Sequence, residues 1–252
     1  MRSPIRSPIE YKSAHHLKQL IEPRSRVSSF FLYSGDIELA LAATDRELIA
    51  HTTKYPIYEF WAALKDNKER IVAAVEDFYP RIDPLLFNYL QEAWPQLGDP
   101  YTRSAFFFIL NRCSQHGDVS MGNFDRKRFN PVSLNYLRRF KGEYFYPVLD
   151  KEENALDALS TAKTADYLLM PVGKFTHNLF EYGKSRGYEM TSINHRELRA
   201  RTKEIDKKWI LIYKKHPQLF RMYKDNTIYM IDQYGRVTDN KDNCEEMIIA
   251  NF

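Results

Sequence analysis

The sequence predicts an α/β fold, a mixed sheet with flanking helices and a helical insertion, on three observations. Short apolar, strand-like runs alternate with amphipathic segments in the opening fifty residues and again after residue 142. The final strand-like runs, "NTIYMIDQY" and "EEMIIANF", suit an antiparallel pair. Between the two alternating parts, residues 57–142 carry helical periodicity followed by a polar stretch dense in Arg and Lys.

Taken in order, the chain is polar and proline-punctuated through Pro8, and "YKSAHHLKQLIE" then reads as a short helix ended by Pro23. "RVSSFFLYSGDIELALAAT" predicts a strand, a turn around Ser34-Gly35-Asp36 and a helical turn from Ile37 to Ala42. "RELIAHTTKYP" gives a second strand ending at His51-Thr52-Thr53. Ile57, Phe60, Trp61, Leu64, Ile71 and Val75 recur at helical spacing, so a long amphipathic helix follows. "DPLLFNYLQEAWPQL" and "PYTRSAFFFILNRCSQ" predict two more helices. After the basic stretch come "GEYFYPVL", "ALDALSTAK", "DYLLMPV", "HRELRARTKEIDKK", "KWILIYKK" and "QLFRMYKD", in which strand and helix signals alternate.

The 252 residues are 44% hydrophobic and 14% aromatic, enough for a real core. A net charge of +4 permits contact with nucleic acid without demanding it, because such binding depends on where the charge clusters. Cys113 and Cys244 form neither a disulfide framework nor a zinc spacing, which suits a reducing compartment. His15, His16, His116, His177 and His195 lack ligand spacing, so no metal site is expected. Cys113 reads as a buried thiol rather than a nucleophile, with no acid–His partner nearby. No window approaches a membrane span, and "MRSPIRSPIEYKSAHH" lacks the apolar core of a signal peptide, so an intracellular protein is expected.

The stretch "TADYLLMPVGKFTHN", residues 164–178, places an apolar run from Tyr167 to Met170 against Pro171, as a buried strand ends at a sheet's edge. In open α/β sheets that edge carries ligands and catalysis. Yet Met170, Pro171, Val172 and Gly173 offer no acid, base or nucleophile.

Segment by segment, the chain resembles the Dam-type adenine-N6 DNA methyltransferases and their phage-encoded relatives over nearly its whole length. The strongest piece is "RSAFFFILNRCSQHG", which is similar to the family's helix ending in Leu-Asn-Arg before a glycine, here Leu110, Asn111, Arg112 and Gly117. "MGNFDRKRFNPVSLNYLRRF" resembles the basic stretch with an Asn-Pro before another helix. "NHRELRARTKEIDKKW", "KKWILIYKKHPQLFRMYKD" and "EEMIIANF" look like its last helix and strands. The resemblance implies a Rossmann-like methyltransferase core at residues 1–56 and 143–252. Residues 57–142 would then form a helical, basic target-recognition-like insertion.

The departures from the family fall on its chemistry. Its N-terminal Arg-Tyr-Pro-Gly-Gly-Lys gives backbone access to S-adenosylmethionine. Here "IRSPIEYKS" keeps Arg6 and Lys12 but puts Ile9, Glu10 and Tyr11 between them. The cofactor loop keeps Phe31, Gly35, Leu39 and Leu41, while Ser29 and Phe30 replace Glu-Pro, and Tyr33 and Ser34 replace glycines. His51-Thr52 stands where the family has Asn-Asp for the ribose, losing charge-assisted acceptance. The Asp-Pro-Pro-Tyr motif, whose Asp accepts from the adenine amino group and whose Tyr stacks on the flipped base, aligns with Met170-Pro171-Val172-Gly173.

The expectation is therefore a catalytically inactive homologue with a degenerate pocket at Lys12, Phe31, Tyr33, Gly35 and Thr52 and no cofactor, serving as a DNA-binding or protein-interaction module in host cytoplasm or virion. Asn111, Arg112 and Gln115 would approach base edges, with Arg126, Lys127, Arg128, Arg138, Arg139 and Lys141 on phosphates. One alternative is a working methyltransferase that uses S-adenosylmethionine and another acceptor, Asp166, although four strand residues put that carboxylate about 13 Å from Met170. Another is an interaction protein with no nucleic-acid partner, its charge run merely a solvated face.

Overall fold

A computed structural model describes residues 2–7, 9–120, 122–151, 156–162, 164–175 and 193–252. After an irregular N-terminal segment come α1 (Ala14–Leu20), β1 (Arg26–Ser29), α2 (Asp36–Ala42) and β2 (Glu47–Thr52). Four helices follow: α3 (Tyr55–Phe78), α4 (Pro84–Ala93), α5 (Pro100–Cys113) and α6 (Pro131–Arg138). The second half holds β3 (Phe145–Leu149), β4 (Tyr167–Gly173), α7 (His195–Glu204), β5 (Lys208–Lys214), α8 (Pro217–Met222), β6 (Thr227–Ile231) and β7 (Glu246–Ala250). Within the run "ALDALSTAK", Asp157–Thr161 form a short 3₁₀ turn.

Among the described residues, seven strands form one sheet in the order β3-β2-β1-β4-β5-β7-β6. β1 to β5 run parallel. β7 runs antiparallel to both β5 and β6, the closing pair that the last two apolar runs predict. Strand order reverses between β1 and β4, and the crevice at their carboxyl ends is where an open α/β sheet binds ligands. β4 is buried along its whole length, as a central parallel strand covered on both faces must be.

Pro171 is the exception that a central strand tolerates. β1 pairs with β4 only through Leu169, so the ladder on that side has ended before Pro171. Leu169 faces β1, its carbonyl accepting from the Phe30 amide, and Pro171, two residues on, points the same way. Its missing N–H therefore costs no ladder bond. The register with β5 then shifts between Pro171 and Gly173, and the strand ends.

Alternation along the strands divides the core. Leu169, Ile210, Ile212 and Ile248 face the helices between β2 and β3, while Leu168, Met170, Leu211, Met247 and Ile249 face the side of α7 and α8. The first face and the helices form one apolar cluster. It runs from Val27 and Leu48 through Phe60 and Trp61 to Phe107 and Leu137. In α3, all six apolar positions named from the sequence are buried, and the helix bends at Asn67. α5 is buried over Ser104–Cys113, which makes it a core helix rather than an amphipathic one.

Trp61 joins these parts. Its ring meets Phe60, Phe140 and Phe145, and its indole Nε1–H donates to the Tyr33 carbonyl at 2.9 Å. Gly35, at φ +68°, caps α2, and a Cβ there would stand 3.1 Å from the indole ring. Trp61→Ala removes a wholly buried ring and should lower stability by about 3–5 kcal/mol in urea unfolding. A loss below about 1 kcal/mol would mean that the ring does not hold the turn to the helices.

Candidate functional site: a filled crevice and a basic cleft

The carboxyl edge of β1 and β4 is occupied by the chain itself. The Tyr11 hydroxyl donates to the carbonyl oxygen of Pro171 at 2.8 Å. Ile9 lies over Gly173, whose φ is +85°, so closely that a Cβ on that glycine would fall 2.4 Å from the Ile9 Cδ1. Met170 is wholly buried among Leu168, Val172, Leu211 and Met247 and reaches no open space.

Beside it, Phe30 stacks flat on His51 with ring centroids 4.6 Å apart and planes 13° apart. His51 Nδ1 is 2.8 Å from Oδ1 of Asp150, a buried carboxyl just beyond β3. The acid near the end of β2 thus comes from the next strand, whereas Thr52 Oγ1 accepts from the Lys54 amide. Asp150 was not singled out in the sequence; an acid closing the run "YPVLD" was the available signal.

The other residues of the expected pocket have structural duties. Tyr33 gives its carbonyl to Trp61 and its hydroxyl to the Gly117 carbonyl. Phe31, at φ +64°, packs against the second core cluster. Lys12 exposes its side chain 3.7 Å from Glu10, and its amide donates to Glu246 Oε2 at 2.5 Å. Glu38 is buried on α2 with the Ser29 hydroxyl donating to it at 2.7 Å, and burial raises its pKa. Asp166 lies at the opposite end of β4, accepting from the Arg26 amide at 2.8 Å, so it cannot act at Met170.

Two expectations for base-edge contact are corrected. Asn111 is 0% exposed: its Oδ1 accepts from the Arg6 amide at 2.7 Å, and its amide nitrogen donates to the carbonyls of Arg6 and Gly117. Arg112 is also buried and donates to the carbonyls of Pro4 and Ser3. A buried polar group needs partners, and the N-terminal segment supplies them, so neither side chain faces a base.

Gln115 is exposed. Arg126, Lys127, Arg128, Arg138, Arg139 and Lys141 are exposed too, but not equivalent. Arg126 donates to the Tyr79 carbonyl at 2.7 Å and Arg138 pairs with Glu76, so both are tied to α3 and its end. Arg128 opens into a cleft of about 660 Å³ between the N-terminal segment and the start of α6, with Arg2, Arg6 and Lys12 across from it.

Cys113 is buried, and burial pushes its thiol up to about 12, which removes the thiolate a nucleophile requires. His177 lies outside the described residues. His195 is buried with Nδ1 3.0 Å from the Tyr213 hydroxyl, and burial, with His216 nearby, lowers its pKa to about 4. Among the described residues, no helix is long and apolar enough to cross a membrane.

Two outcomes follow from this geometry. Tyr11→Phe leaves the Pro171 carbonyl without its donor and should cost about 1–3 kcal/mol in denaturant unfolding; no change would show that water replaces the hydroxyl freely. In the folded chain His195 stays neutral until about pH 4, while its unfolded form protonates near 6.5. Stability should therefore fall as pH drops from 6.5 towards 4, and His195→Phe should flatten that part of the profile in thermal unfolding. An unchanged slope in the variant would place the acid sensitivity elsewhere.

No protein-family model matches the chain, and no curated protein matches it either.

Proposed function

We propose that this chain has a Dam-type methyltransferase fold, does not transfer methyl groups, and acts as a DNA-contacting module through its helical insertion. The observation that carries the reading is the filled crevice. In the family that the chain resembles, an Asp carboxylate and the next backbone carbonyl accept from the amino group of the flipped adenine. Met170 supplies no carboxylate, and the Pro171 carbonyl already accepts from Tyr11. Phe30 covers His51 beside it, and Ile9 occupies the approach to Gly173.

The seven-stranded mixed sheet with a reversed strand beside β5 is compatible with the methyltransferase core that the resemblance implies. Support for a DNA partner comes from the exposed cations Lys127, Arg128, Arg139 and Lys141 on the insertion, with Arg126 and Arg138 beside them. The working-enzyme alternative loses its acceptor, because Asp166 is engaged at the far end of β4.

Calorimetric titration of S-adenosylmethionine into the folded protein tests the reading. No heat of binding is expected. A Kd below about 100 μM, roughly 5.5 kcal/mol, would overturn it and reopen methyl transfer. Reversing charge at Arg126, Lys127 and Arg128 together should abolish salt-dependent binding to duplex DNA, read by electrophoretic mobility shift. Unaltered binding would remove the insertion from the interface.

A further inference from the structure

Four guanidinium groups meet around the basic cleft, and none is in direct ion-pair contact with a carboxylate among the described residues. Arg2 and Arg6 reach it from the N-terminal segment, Arg128 from the turn before α6, and Arg112 forms part of its wall. No ion pair among the described residues includes any of the four. Their other bonds go to neutral acceptors: Arg2 to the Tyr136 hydroxyl, Arg6 to the Ser114 carbonyl, and Arg112 to the Ser3 and Pro4 carbonyls. The Arg128 guanidinium has no hydrogen-bond partner among the described residues.

The cations also act on one another. Burial and then Arg128 lower the pKa of Arg6 against the opposing pull of Asp125 and Glu10, and burial and then Arg6 bring Arg112 down to about 10 against that of Asp36. Two acids share the cleft. Glu10 stands 3.7 Å from the Lys12 ammonium, and Asp36 accepts from the Ser34 hydroxyl while burial raises its pKa. The balance is positive. The start of α6 adds the partial positive charge of a helix N-terminus, since Asn130, Val132 and Ser133 line the same cleft. Like charges held together in a partly desolvated cleft repel, and a bound anion relieves that repulsion.

We infer that the cleft seats a phosphate group of a nucleic-acid strand, held by Arg2 and Arg6 from one wall and Arg128 from the other. The inference rests on the DNA-contacting reading and moves its centre from the outer face of the insertion to the seam with the N-terminal segment. A planar carboxylate is satisfied by one guanidinium fork. Forks that converge from two walls match the tetrahedral oxygens of a phosphate. A free nucleotide carries the same group, so the test separates the two sources.

The experiment is fluorescence anisotropy of an end-labelled oligonucleotide, single-stranded and duplex, against the full chain over a salt series. Thermal shift with adenosine monophosphate runs in parallel. Arg2→Gln with Arg128→Gln removes two exposed side chains that carry no ion pair among the described residues, so the protein should stay folded, as its melting transition will show. Arg138→Gln with Arg139→Gln is the outer-face control.

The cleft variant should bind either strand form about tenfold more weakly at ~0.1 M salt and lose about one from the magnitude of the salt slope, with the control changing less. If the control loses binding and the cleft variant does not, the cleft assignment is overturned and the DNA-contacting reading stands. If no strand binds but adenosine monophosphate raises the melting temperature in an Arg128-dependent way, the phosphate seat stands as a free-nucleotide site and the strand partner is overturned. Binding of neither overturns both.

Discussion

Asn111 and Arg112, adjacent at the end of α5, are polar side chains set into a helix that is otherwise apolar core. Burying an amide and a guanidinium is tolerable only where their hydrogen bonds are met. Here they are met by the backbone of residues 3–6, a segment with no strand or helix of its own to satisfy those groups. The exchange is reciprocal: the helix fixes the segment, and the segment satisfies the helix. Ser3 also donates to the Ser34 carbonyl, which ties the same segment to the turn before α2.

Everything at the carboxyl edge of the sheet follows from that attachment. With residues 3–6 fixed at one end, Glu246 on β7 holds the other by accepting from the Lys12 amide and from the amide and hydroxyl of Ser13. The chain between is drawn across the end of β4, which sets Ile9 on Gly173 and Tyr11 on Pro171. The acids near the crevice serve the fold in the same way, buried Glu38 with Ser29 and half-buried Asp36 with Ser34. The same course of the segment carries Arg2 and Arg6 to the far side, where they face Arg128 across open space. Closing the crevice and building the basic cleft are two consequences of one path.

Much of the scaffold was legible. The spacing of Ile57, Phe60, Trp61, Leu64, Ile71 and Val75 marks the buried stripe of α3, because helical periodicity is a local property of the chain. The apolar runs at Tyr167–Gly173 and Lys208–Lys214 mark central strands for the same reason. That Met170 and its neighbours carry no acid needed no coordinates at all. What misled was Asn111 and Arg112: a polar motif at a helix end looks the same in sequence whether it meets a base or the chain's own backbone. Only burial separates the two, and burial depends on what lies 105 residues away, at Arg6.

By itself, then, the sequence determined most of the element types, the mixed sheet with its antiparallel close, and a strand end at Met170, Pro171, Val172 and Gly173 whose side chains are neither acid, base nor nucleophile. These are statements about periodicity and residue chemistry, and both are read locally. Only the tertiary structure decided what fills the crevice and where the arginines of the cleft gather. Tyr11 and Pro171 are 160 residues apart, and His51 and Asp150 are 99 apart. Such pairs carry no periodic signal. They form because buried polar groups take the nearest partner in space, which chain folding alone brings near.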